Sequence, residues 1–146
     1  MTQSRREQAL SALTSVLSSI SAEANRAEAL TQALPAEGLV AVRSGTMNLL
    51  GTTLSPPSYE YEHVAELDIL VPRKEGDDAG EAEAALDALM VEINEAIAAD
   101  RSLGGVVNHA EARPPQTSNL AIEGAPEMRG AVVPIALWYI TDSPLT

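Results

Sequence analysis

Tyr59-Glu60-Tyr61-Glu62-His63-Val64-Ala65-Glu66-Leu67-Asp68-Ile69-Leu70-Val71 is the stretch on which the fold turns. Its odd positions hold Tyr59, Tyr61, His63, Ala65, Leu67, Ile69 and Val71. Its even positions hold Glu60, Glu62, Val64, Glu66, Asp68 and Leu70. Side chains on a strand alternate faces, so one face is mostly apolar and the other carries four acids. At about 3.3 Å per residue the run extends roughly 40 Å, well past an ordinary strand. A strand that long bends, or leaves its sheet as an arm. We expect it to be the spine of an antiparallel sheet with one acidic surface.

The segments on either side fit that spine. Gly38-Leu39-Val40-Ala41-Val42-Arg43 reads as a short strand, ended by Ser44-Gly45. Residues 47–54 are apolar and threonine-rich, split by Gly51, and read as a weak strand or hairpin arm feeding the spine. Ser55-Pro56-Pro57-Ser58 forces a bend between them. After the spine, residues 72–78 read as a solvated loop.

Helices are expected on both sides of this block. Leu10, Leu13, Leu17, Ile20, Ala24, Ala27 and Leu34 recur at spacings close to a helical period across residues 4–34. Serines around Ile20 favour caps over helix interiors, so we expect a break near Ser21 and a second, shorter helix to about Ala33. Residues 35–38 read as a turn. Residues 81–99 are the clearest helix. Asp78 is placed to cap it, and Ala82, Ala85, Leu86, Leu89, Ile93, Ala96 and Ile97 form its apolar face. Gly104-Gly105 supplies left-handed backbone at its end. Residues 106–113 then read as a strand stopped by Pro114-Pro115, and 116–126 as a loop with a short strand at 119–122. Residues 128–141 form the closing strand, apolar on both faces from Val132 to Ile140, which implies a central or doubly covered position. Pro134 requires a bulge or an unpaired position there. The order of elements predicts a single α+β domain over residues 1–146, an antiparallel sheet with helices on one face and a long hairpin arm.

Composition narrows the function. The 146 residues carry 9 bases against 21 acids, a formal net charge of −12. Such a chain does not hold nucleic acid through a basic footprint. It contains no cysteine, hence no disulfide, thiol nucleophile or thiolate metal site. No run of about 18 apolar residues suits a membrane span, and no secretory h-region is evident at the N-terminus.

Catalytic constellations are sparse. His63 and Asp68 match the His-x4-Asp pattern of some acyltransferases. Their odd separation puts them on opposite faces of a strand, too far apart for a base and its orienting acid. His109 and Glu111 share one side of a strand without the helical spacing of zinc motifs. Neither pair supports chemistry, and no catalytic, cofactor or metal residue is assigned.

Four segments carry a family likeness. They are Gly38-Leu39-Val40-Ala41-Val42-Arg43-Ser44-Gly45, then Leu54 through the proline turn to Leu67, then Ala98-Ala99-Asp100-Arg101-Ser102-Leu103-Gly104-Gly105, and Val132-Val133-Pro134-Ile135-Ala136-Leu137-Trp138-Tyr139. In this order they resemble tail terminator proteins of long-tailed bacteriophages and gene transfer agents, notably a subgroup from alphaproteobacterial phages. The resemblance implies a non-enzymatic virion protein, made in the host bacterial cytoplasm. It implies a hexameric ring at the tail–neck junction that caps the tail tube, ends its polymerisation and meets a head-completion or neck protein. It implies DNA passing through the bore without specific binding, and no cofactor. On that reading Met47, Leu49 and Leu50 are expected at a contact with another subunit or the tube, and Glu60, Glu62, Glu66 and Asp68 on the bore or a solvated ring face. The alternatives are another head–tail neck protein, such as a head-completion or adaptor ring, and a small acyltransferase-type enzyme.

Overall fold

The spine runs from Pro57 to Pro72 as strand β3. The computed structural model of the chain describes residues 3–26, 37–72, 79–118 and 128–146. Strand β2 (Leu39–Leu54) and strand β6 (Met128–Thr141) flank β3, both antiparallel to it. The edges are β1 (Glu23–Arg26), parallel to β2, and β4 (His109–Ala112) and β5 (Gln116–Ser118), both antiparallel to β6. Helix α1 (Arg5–Val16) runs on into a 3-10 turn at Leu17–Ser19, and helix α2 (Ala79–Ala99) follows β3. This is an α+β fold on a largely antiparallel sheet.

The alternation of β3 decides which face is covered. Tyr61, His63, Ala65, Leu67, Ile69 and Val71 are buried, whereas Glu62, Val64, Glu66 and Asp68 are half-buried and Glu60 is exposed. Leu10, Leu13 and Leu17 of the first helical segment join Leu86, Leu89, Ile93 and Ile97 of α2 in the same core as the odd residues of β3. Both helices therefore lie on the odd face. At about 25 cal/mol per Å² of apolar surface removed from water, this layer is the main source of stability.

Several expectations need correction. The second N-terminal helix does not begin after Ser21: residues 23–26 pair with Leu39–Val42 as β1. Ala24 sits on a strand beside Val40, and its helical spacing from Ile20 is fortuitous. Ser44-Gly45 does not end the strand. It forms a bulge, with a register shift between Arg43 and Thr46, and β2 continues to Leu54. A Cβ on Gly45 would lie 2.1 Å from the Val64 carbonyl oxygen, so a side chain is sterically shut out there. A second shift between Leu49 and Gly51 leaves Leu50 as an extra residue. Strand β4 begins at His109, because residues 101–106 form consecutive turns. Left-handed backbone starts at Leu103 (φ 50°) and continues through Gly104 and Gly105, beyond the helix end at Ala99. Ala85 is exposed on α2, and the buried stripe is Ala82, Leu86, Leu89, Ile93 and Ile97. The expected turn at 35–36, the loop at 73–78 with the Asp78 cap, the helix at 27–34 and the strand at 119–122 lie outside the described residues.

Of the two positions expected, the closing strand takes the central one, between β3 and the short edge strands β4 and β5. Pro134 stands opposite Glu66 on one side, and its carbonyl accepts the Arg113 N–H (2.8 Å) on the other. In a strand the nitrogen and carbonyl of one residue point the same way. The proline nitrogen therefore faces the gap between β4 and β5, where no ladder bond is required of it.

Candidate functional site

Three groupings are candidates, and the first is the open face of the sheet. The four acids of β3 lie there, but they do not form a bare negative stripe. Arg43, opposite Glu66 in register, makes ion pairs with Glu66 and with Asp68 (Nε to Oδ2, 2.7 Å). Its pKa is raised above its ordinary value, chiefly by the Asp68 hydrogen bond. Arg113 reaches Glu62 (3.0 Å) and lies 5.9 Å from the centre of the Trp138 ring, whose other neighbour is His109 at 5.6 Å. Glu60 has no ion pair among the described residues. Two arginines thus offset half of the acidic charge. Composition could not reveal this, because Arg43 and Arg113 are 25 and 45 residues from Asp68 in sequence.

The second grouping is buried. His63 has no exposed surface, and its ring bridges three strands. Its Nε2 is 3.0 Å from Ser44 Oγ on β2 and its Nδ1 is 3.0 Å from the Tyr139 hydroxyl on β6. A neutral imidazole has one donor and one acceptor nitrogen, so the ring donates one of these bonds and accepts the other. Burial, then the charges of Arg6 and Arg26, lower the His63 pKa to about 4. Burial likewise pushes Tyr139 up to about 12. All three groups are therefore uncharged near neutrality. The partners of His63 escaped the sequence reading. Ser44 was read as the end of its strand, and Tyr139 is aligned only once the β3–β6 register is known. Asp68 lies on the opposite face with Arg43, so His63 and Asp68 do not converge. His109 and Glu111 are both exposed, with buried Ala110 between them. No group of three metal-ligating side chains occurs among the described residues.

The third grouping is the far end of the β2–β3 hairpin. Leu49, Leu50 and Leu54 are 55%, 52% and 83% exposed. Met47 is half-buried and packs against the core, so it supports the segment more than it presents it. Ile140, opposite Glu60, is exposed on the other face of the sheet, and Leu145 borders the same small cavity as Met47 and Tyr61. Leu49, Leu50 and Leu54 are thus three of the six large exposed hydrophobic side chains among the described residues, all within the last six residues of β2. Isolated exposed leucines are ordinary, but a cluster marks a contact surface. A groove of about 430 Å³ also lies between α2 and the end of β3, bordered by Glu37, Glu81 and Glu92. The Ser21 hydroxyl donates to Glu92 across it (2.7 Å).

No protein-family model matches the sequence, and no curated protein matches it. Among the described residues no helix is long and apolar enough to cross a membrane.

Proposed function

We propose that the chain is a structural ring protein of a long-tailed phage or related particle, a tail terminator that caps the tail tube. In this reading copies of the chain form a hexamer at the tail–neck junction of the virion. The ring ends tube polymerisation and joins a head-completion or neck protein, and DNA passes through its bore. The observation that supports the reading most is the hairpin end, built of paired strands, where Leu49, Leu50 and Leu54 stay exposed. A paired hairpin anchored in a sheet keeps its shape, so it can seat a neighbouring molecule with little loss of conformational entropy. Leu49 and Leu50 make the contact with a subunit or the tube, and Met47 backs them. Glu60, Glu62, Glu66 and Asp68 face the bore or a solvated ring surface, where carboxylates repel phosphate.

The reading needs no catalytic residue, and the separation of His63 from Asp68 removes the geometry an acyltransferase would need from that pair. Location discriminates it from another neck ring. Cryo-electron microscopy of purified particles should find this chain as a ring in direct contact with the last layer of tail tube. A position at the capsid portal, with no tube contact, selects the head-completion or adaptor alternative. Single copies scattered along the tail contradict both.

A further inference from the structure

The two edges of the sheet are unlike. On the β4 side the edge strand is four residues long, and the guanidinium of Arg101 occupies its Ala110 carbonyl (3.1 Å). Short edges and edge-covering cations are devices that discourage strand addition. On the other side β1 pairs with β2 only as far as Val42. Among the described residues no strand pairs with the outer edge of β2 from Arg43 to Leu54. That edge extends roughly 40 Å at about 3.3 Å per residue, room for a strand of ordinary length. Two bulges interrupt it, at Ser44-Gly45 and at Leu50, but beyond Arg43 it lacks the charged side chains that guard many edges. Residues 44–59 contain no Asp, Glu, Lys or Arg, and they are the longest uncharged stretch of the chain.

From this we infer that the outer edge of β2 is a main-chain docking site for an extended segment of a second copy of this chain, which adds a strand to the sheet. Backbone hydrogen bonds supply the attraction, and Leu49, Leu50 and Leu54 flank the added strand. Charge favours a second copy as occupant. Each protomer carries a net charge of −12, so two copies repel wherever their acidic surfaces meet. An uncharged edge lets like-charged copies approach with least repulsion. A basic partner would be drawn instead to the acidic outer face of α2, which carries Asp87 and Glu95.

The inference rests on the ring reading for the existence of an assembly, and it specifies the bond between copies. Hydrogen–deuterium exchange across a concentration series of the free protein, and again on purified particles, tests it. Strand addition should slow exchange at alternate amides of residues 44–54 as copies associate. Asn48→Lys with Leu50→Lys should weaken self-association by about tenfold or more, since lysine on an edge opposes pairing. Assembly without that protection, and unaffected by the lysines, overturns the edge inference and leaves the ring standing. Protection that arises only against the tube protein overturns the second copy as occupant. Absence of association in both settings overturns the inference and the ring together.

Discussion

Replacing His63 with glutamine should change how stability depends on pH. In the unfolded chain His63 takes up a proton below about 6.5. In the folded protein burial holds it neutral down to about 4. Its depressed pKa therefore makes no demand on stability above 6.5, and the folded state loses ground as pH falls from 6.5 to about 4. The loss amounts to about 3 kcal/mol at most, after which it levels off. Urea titrations at pH 6.5 and 4.5 should show a steeper fall for the wild type than for His63→Gln. The acids are common to both proteins and cancel in the difference; equal slopes would mean that His63 titrates as if exposed. Gly45 offers a second residue-scale test. A methyl there meets the Val64 carbonyl, so Gly45→Ala should cost about 1–3 kcal/mol or shift the bulge. Thermal melts equal to wild type would place the bulge elsewhere.

Helix α2 is the element whose energetics are most accessible. Leu89 and Ile93 are 3% and 1% exposed, whereas Val91 between them is 49% exposed. Leu89→Ala and Ile93→Ala should each cost about 2–5 kcal/mol, and Val91→Ala about 0.5 kcal/mol or less. Denaturant midpoints with all three alike would contradict a helix packed through one stripe. This helix was legible because its apolar residues recur with one period over about four turns. Strand β3 was legible because its alternation runs from Tyr59 to Val71 with only Val64 and Leu70 out of pattern, and β6 because it is apolar on both faces. Strand β1 was not, since Ala24 satisfies a helical spacing from Ile20 as readily as a strand position, and only pairing with Val40 decides. The bulge at Ser44-Gly45 was read as a strand end because serine and glycine signal both. The ion pairs of Arg43 and Arg113 depend on register, which one sequence does not display. Hence the acidic residues of the open face were found, and their partial neutralisation was not.

At the scale of the whole molecule, the proposed function uses two surfaces differently: the acidic face would repel a polyanion, and the hairpin end would seat a neighbour. Glu60 is the test of the first, since Glu62, Glu66 and Asp68 are held by arginines. Glu60→Lys changes the charge by about two per subunit, a field strongest at low ionic strength. If Glu60 lines the bore, the variant ring should bind DNA with marked salt dependence and its particles should eject DNA slowly. Ejection and binding like wild type at low salt would assign Glu60 to an outward, solvated surface. The central claim is that this chain stops tube growth. Its most direct measurement is the length distribution of tails, by electron microscopy, from particles assembled without the chain. The account predicts overlong tubes of uneven length, unjoined to capsids, and return to one length when the chain is supplied. Tails of normal, uniform length joined to filled heads would contradict it.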